Sequence, residues 1–467
     1  MKNPTLPAEA LTRRLARKVL SIGKADLTPL AIQQAKTCLI DAIGVSLAGS
    51  VEDATRILLR TPGVAQAPGR CRVIGTSTVT SALEAALVNG TAAHALDYDD
   101  FSSIMGGHHT VPLLPVMLAL GEERGLPGED LLLAYVVGVE VEIRMARALG
   151  FHHYDKGWHP TSTLGTFGAA AAAARLLALD EAQCATALSI AASMAAGIKA
   201  NFGTMVKPFH AGQCARNGLL AALLAQAGYD AEPFALEDPQ GFLHVFNGVG
   251  TFDTELLFKD WAAPLEIEGK TIALKQFPCC GSTHPAITMM LRLVREEGLR
   301  AQDVARIEIL PHGRRLRHTD TPLPQSPLEA KFSVQYVVAR ALLDGSVRLK
   351  DFEGEAYAEP AIRALLAVTE ARPHPDMADD AEEQWGAEVI VWRHDGQRLA
   401  RRIEQLVGRG GDTPMTREEM WEKFEDCAQR ALPGDQIAPL FETLERFEEL
   451  DDVSRLTRLL AADAVQA

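Results

Sequence analysis

The chain has 467 residues, room for two or three domains, and 47% of them are hydrophobic, an ordinary share for a protein that buries real cores. Its 61 acidic residues outnumber 46 basic ones, and a net charge of −15 argues against nucleic acid as a partner, because phosphate binding wants a basic surface. Seven scattered cysteines, an odd number, suggest a reducing cytoplasm without a disulfide framework, and no run of about 18 apolar residues supports a membrane span.

The N-terminal stretch MKNPTLPAEALTRRLARKVL reads as a first amphipathic helix and not as a secretory signal. At 28–50, Thr28 is a plausible N-cap, Pro29 suits the first helical position, and Ile32, Ala35, Leu39, Ile43 and Leu47 form one apolar stripe. Helical patterns follow around 79–95, 112–124, 128–149, 161–178, 181–196 and 209–227. Most are rich in alanine and leucine, so the plain reading of each stripe is core. The texture changes after about residue 268. VARIEILP (304–311) alternates like a half-buried strand, 329–347 returns to helix, and 385–406 reads as two strands joined across Asp395-Gly396. Residues 373–384 and 407–414 read as linkers, and the last 60 or so residues are helical again. The expected fold is mainly α: a large all-helical domain over 1–268, to which 407–467 returns, and a smaller α+β domain over 269–406.

Seven of the 13 histidines fall between residues 94 and 210. Three segments put a basic or thiol group at a helix start: His159 before Pro160 and Thr161, Lys207 before Pro208, and Cys280 to His284 with Lys275 upstream. A helix start offers unpaired N–H groups and a positive dipole end, so a base there is sensible where an anion is expected. Convergence of the three would cradle a di- or tricarboxylate and lower the pKa of the bases. The plain alternative is a set of surface bases near helix caps. A second cluster, AAHALDYDDFSSIMGGHHTVPLLP (92–115), sets Asp97, Asp99 and Asp100 ahead of His108 and His109, where a carboxylate could orient an imidazole or share its proton. A solvated turn is the alternative there.

Other chemistries fit less well. Cys279 and Cys280 are vicinal, the histidine pairs are adjacent, and no H-E-x-x-H occurs, so no metal is expected. Cys280 could be a reactive thiol near a helix start, but no separate base for it is identifiable. DYDD fits the acid motif of terpene cyclisation, yet aromatics make up only 6% of the chain. No nucleotide-binding glycine motif is present.

Together NGTAAHALDYDD, GWHPTSTLGTFGAAAAAA, NFGTMVKPFHAG and KQFPCCGSTH resemble, in order and spacing, the MmgE/PrpD family, which includes 2-methylcitrate dehydratase, cis-aconitate decarboxylase and iminodisuccinate epimerase. The resemblance spans nearly the whole chain. It implies a helical domain with an α+β lid, a homodimer, catalysis with no metal or organic cofactor, and an active site between the domains. The implied catalytic residues are His159, Lys207, His108, Asp97 and Lys275, with His159 the first choice of base and His108 the second. Cys280, Thr161, His284 and Ser102 are the substrate-binding candidates. The implied reaction removes a proton next to a carboxylate of a small di- or tricarboxylate, as a 2-methylcitrate dehydratase-like lyase or an iminodisuccinate epimerase-like isomerase. A cis-aconitate decarboxylase-like enzyme is the alternative, and a non-catalytic carboxylate-binding helical protein is the rival of another class. Two positions depart from the family pattern: Phe101 follows DYDD where Ser or Thr is common, and Cys280 stands where decarboxylase-type members tend to have histidine.

Overall fold

The computed structural model describes residues 9–377, 386–405 and 407–462. The start of the N-terminal helix reading (1–8), the linker reading over 378–384, Trp385 and Leu406 of the hairpin segment, and 463–467 lie outside the described residues. The fold is mainly α with a smaller α+β part. Two compact units divide the chain: Met1–Leu274 with Gly410–Asp412 and Met420–Ala467, and Lys275–Arg409 with Thr413–Glu419.

The first unit is built from close-packed helices. Thr28 caps Pro29–Ser50, its hydroxyl accepting from the Ala31 amide at 3.0 Å. The alanine run Ala169–Ala174 of helix Pro160–Leu176 is wholly buried. Side chains this small let helix axes approach, and one contact goes to the limit: a Cβ on Gly212 of helix Val206–Gln226 would lie 2.0 Å from the Leu87 carbonyl oxygen of helix Ala82–His94. A Cβ on Gly90 would lie 2.7 Å from the Gly212 Cα. The two helices therefore meet backbone to backbone. That contact brings the C-terminal end of one, His94, toward the N-terminal turn of the other, which carries Lys207 and His210.

Past His94 the chain turns through Asp97, which takes a left-handed φ of 52° that a non-glycine residue rarely adopts. It then forms the short strand Phe101–Ser102, paired antiparallel with Ile272–Ala273 in the register Phe101↔Ala273. A buried cation holds this turn from behind. Lys423 is ion-paired with Asp41, donates to the Tyr98 carbonyl at 2.9 Å and lies 3.9 Å over the Tyr98 ring. Burial pushes the Asp41 carboxyl up to about 7 even beside that ammonium, so the pair is held in a medium that resists charge.

The second unit has a four-stranded sheet in the order Thr369–Ala371, Val304–Pro311, Ala387–Arg393, Arg398–Ile403. Only the first pair is parallel. Val304–Pro311 forms the expected strand, but it lies between two neighbouring strands and is buried continuously from Ile307 to Pro311, not half-buried; Ala387–Arg393 and Arg398–Ile403 are joined through Asp395-Gly396 with Gly396 at φ 88°. Helices His284–Glu297 and Val334–Asp344 share its core, through Ile287, Met290 and Val337 with Ile307, Val389 and Val391. The single helix expected over 329–347 is two pieces, Pro327–Lys331 and Val334–Asp344. The Ser333 hydroxyl caps the second, accepting from the Tyr336 amide at 3.0 Å.

Removing one partner of a buried ion pair strands the other. Lys423→Ala is expected to lower unfolding free energy by about 3–5 kcal/mol, with Lys423→Met/Asp41→Asn recovering part of it. Chemical denaturation measures both, and a single variant as stable as wild type would contradict the role given to this pair.

Candidate active site

Five side chains of the first unit form a continuous relay. Asp99 is wholly buried and is shared by two imidazoles: His94 Nδ1 lies 3.0 Å from both carboxylate oxygens, and His108 Nδ1 lies 2.7 Å from Oδ2. On its other edge, His108 Nε2 is 3.3 Å from Asp97 Oδ1, and the same oxygen receives the Lys207 ammonium at 2.8 Å. Asp97 is the half-exposed member and His108 and Lys207 are nearly buried, with side-chain exposures of 49%, 11% and 14%. The relay links Lys207, Asp97, His108, Asp99 and His94 in that order and meets the surface at Asp97.

Local structure explains each placement. His94 closes its helix, and His108 and His109 lie just ahead of Thr110–Arg124. The His108 amide donates to Thr161 Oγ1 at 2.9 Å, which ties the loop to the start of Pro160–Leu176. His159 is the N-cap residue of that helix, with its amide donating to the Gly197 carbonyl at 3.0 Å. Its ring stacks on His94 at 5.9 Å, meets Phe202 edge-on at 4.8 Å, and places Nδ1 3.1 Å from His210 Nδ1. Lys207 lies 5.2 Å over Phe202.

Two opposite effects set the charges. Burial penalises the Asp99 carboxylate, but His108 and His94 outweigh it and hold the carboxyl well below the usual range. Burial first, with nearby Lys207 and His108, lowers His94 to about 4 against the pull of Asp99. His159 is lowered further, by burial and then by His94, Lys207 and His108, and His210 is lowered by burial and His94. Behind this layer, burial pushes Asp100 up to about 7 while its carboxylate accepts from Thr110 Oγ1. His109, 3.5 Å from that carboxylate, is lowered to about 3 by burial.

The ligand atoms of His94, Asp97, Asp99 and His108 fall within 4.8 Å of one another, as do those of Cys38, Asp100 and His109, so either set could hold a metal ion. In the first set Lys207 already pairs with Asp97 Oδ1, and a divalent cation there would face its charge.

Of the residues singled out from sequence, His159, Lys207, His108 and Asp97 come together here. Lys207 lies inside the first turn of Val206–Gln226, not before it. Thr161 is buried and holds the His108 loop. Ser102 is buried too, and its hydroxyl accepts from the Met105 amide at 3.3 Å, so it shapes the turn between Phe101 and Gly107. His159 is only 1% exposed, a deeper position than a first-choice base suggests. The sequence reading missed His94 and His210. The available signals were a histidine five residues before an aspartate across a helix end, and a histidine one turn after Lys207.

In the second unit, Lys275 is the first residue and Cys280 precedes the turn Gly281–Thr283 that leads into His284–Glu297. His284 is buried with Nε2 3.3 Å from the Cys279 carbonyl. Sequence reading identified no base for Cys280; His318 stands nearby, with Nε2 3.0 Å from Ser282 Oγ.

Comparison with known proteins identifies the class. The MmgE/PrpD N-terminal domain matches residues 13–255 and the MmgE/PrpD C-terminal domain matches 277–445. This chain belongs to the MmgE/PrpD family. Among its curated relatives, cis-aconitate decarboxylase of Homo sapiens is 30% identical over 97% of this chain and 95% of its own length. The Mus musculus cis-aconitate decarboxylase is also 30% identical, over 98% and 95%. The 2-methylcitrate dehydratase of Cupriavidus necator is 25% identical over 89% and 90%.

Each lowered imidazole refuses a proton that the unfolded chain accepts below about pH 6.5. Its contribution to stability is whole above that pH, and for His94 it is lost as pH falls toward about 4, at up to ~1.4 kcal/mol per pH unit. Nitrogen-15 imidazole spectra at about pH 5.5, assigned with His94→Gln and His109→Gln, should show both rings neutral where an ordinary histidine is mostly charged. A charged His94 under those conditions would overturn the electrostatic account of the relay.

Proposed function

We propose that this chain is a lyase that moves a proton at carbon next to a carboxylate of a small di- or tricarboxylate, without a metal or organic cofactor. The observation carrying the reading is His108, with Nδ1 2.7 Å from a buried carboxylate and Nε2 3.3 Å from Asp97 toward the exposed end of the relay. Asp99 fixes the ring orientation and stabilises the imidazolium that forms, the logic of an Asp–His acid–base pair. His108 is therefore the base, and buried His159 with His210 supports the ring stack behind it. Lys207 supplies the cation that steadies charge developing on the substrate carboxylate.

In dehydration, His108 takes the proton from the carbon next to the carboxylate, the electron pair spreads into that carboxylate, and collapse to the alkene expels hydroxide from the neighbouring carbon. In decarboxylation, the C–C bond to a carboxylate breaks, CO2 leaves, and the imidazolium protonates the resulting carboxylate-stabilised carbanion. The 30% identity to cis-aconitate decarboxylases over nearly the full length favours the second reaction. Cys280, standing where decarboxylase-type members tend to have histidine, favours the first. The substrate-binding roles of Lys275, Cys280 and His284 in the second unit belong to the same proposal.

The test is turnover of cis-aconitate, followed by CO2 release, and of 2-methylcitrate, followed by alkene absorbance. Activity should appear with one of them and persist after chelator treatment. His108→Ala and Lys207→Ala should each lower kcat/KM by ~10²–10⁴-fold with the fold retained by circular dichroism. Carboxylate-induced melting shifts without any turnover would replace the lyase with a binding protein, and activity restored only by a divalent ion would replace the ammonium with a metal.

A further inference from the structure

Behind the relay lies a second cluster that the proposed reaction does not use. Cys38 comes from helix Pro29–Ser50, Asp100 from the turn after His94, and His109 is the N-cap residue of Thr110–Arg124. All three are wholly buried, and a sulfur, a carboxylate oxygen and a ring nitrogen lie within 4.8 Å of one another. His109 Nε2 stands 3.5 Å from Asp100 Oδ2. Neither ring nitrogen of His109 has a hydrogen-bond partner, nor has Asp100 Oδ1. Buried polar atoms are almost always paired, so an imidazole with both nitrogens idle in a core points to a group held between it and its neighbours. The cations nearby are already engaged, Lys423 with Asp41 and the rings of His94 and His108 with Asp99.

We propose that Cys38, Asp100 and His109 form a structural site for a divalent cation of the zinc class. Thiolate, imidazole and carboxylate are the side-chain donors that Zn2+ takes. Bonds of about 2.0–2.3 Å at tetrahedral angles set neighbouring donors ~3.3–3.6 Å apart, which is the spacing of His109 and Asp100. Closing the whole set from its 4.8 Å limit asks for side-chain movement of ~1 Å. As the ion binds, the Cys38 thiol gives its proton to solvent. Thiolate, carboxylate and neutral imidazole around a divalent ion then sum to zero, the condition a site closed to solvent requires. A single buried water completes four-coordination without changing that sum. Thr110 Oγ1 donates to the Asp100 carboxylate and lies 2.7 Å from the Tyr135 hydroxyl, an outer hydrogen bond of the kind that orients a metal-bound carboxylate. Through its three ligands the ion joins helix Pro29–Ser50, the turn after His94 and the start of Thr110–Arg124, behind His108 and Asp99. It holds that loop and takes no part in proton transfer.

Co2+ is the probe, because it takes the place of zinc and absorbs characteristically when a thiolate binds it. The full chain is produced with Co2+ in the growth medium, so that the ion can enter before the core closes, and is then passed through EDTA. Bound cobalt is counted by plasma mass spectrometry and read by absorption in wild type, Cys38→Ser, His109→Gln and Asp97→Asn. About one cobalt per chain is expected in wild type and in Asp97→Asn, with a thiolate-to-cobalt charge-transfer band in the near ultraviolet. The band should vanish in Cys38→Ser, and bound cobalt should fall by about tenfold or more in His109→Gln. Wild type alone carries the decision if either variant fails to fold. Less than about a tenth of a cobalt per wild-type chain, or cobalt bound without the thiolate band, would overturn the proposal. So would a band that survives Cys38→Ser, or cobalt lost from Asp97→Asn and kept in Cys38→Ser, which would place the ion in the relay. None of these readouts depends on turnover, so failure here is separate from failure of the lyase reading.

Discussion

A carboxylate with no exposure to water must be neutralised or hydrogen-bonded, and Asp99 meets that requirement with two imidazoles at once. The surrounding geometry follows from this need. His94 has to end one helix, His108 has to lie just ahead of another, and the chain between them has to double back within a few residues. The left-handed Asp97 is the backbone cost of that reversal, and it leaves a second carboxylate at the surface side of the same ring. Ring orientation and the identity of the nitrogen that holds the proton are thus fixed from inside the fold.

The scaffold supplies what the loop cannot. Small residues bring helices Ala82–His94 and Val206–Gln226 into backbone contact, so His94 and Lys207 come from different elements and still meet through Asp97, His108 and Asp99. Lys423 and Asp41 anchor Tyr98 from the far side. The cost is a dense set of buried polar groups whose titration is displaced in both directions: imidazoles downward, and Asp41 and Asp100 upward to about 7. Burial in a cluster built this way keeps His94, His109, His159 and His210 neutral at neutral pH.

Much of the architecture was legible because its signals are local. Thr28-Pro29 marks a helix start, VARIEILP alternates along a strand, and Asp395-Gly396 turns a hairpin; each depends on residues a few positions apart. Four of the candidate site residues, drawn from three segments, meet in one cluster, since bases at helix starts and before helices are also local features. The hidden parts are long-range. His94 looked like an ordinary member of an alanine-rich helix, and only the fold brings Asp99 back to it. His210 acquires meaning from His159, which is 51 positions away in sequence. Depth is equally invisible: nothing in GWHPTSTLG announces that His159 is buried behind His108, or that the hydroxyls of Ser102 and Thr161 are committed to shaping the loop.

The central claim is that an imidazole oriented by Asp99 exchanges a proton with substrate carbon. The most direct measurement is deuterium incorporation from D2O, read by mass spectrometry on recovered substrate and product, for wild type and Asp99→Asn. The account predicts a single deuterium at the carbon next to a carboxylate, entering ~10²-fold or more slowly in the variant. Incorporation at the wild-type rate in folded Asp99→Asn would contradict it.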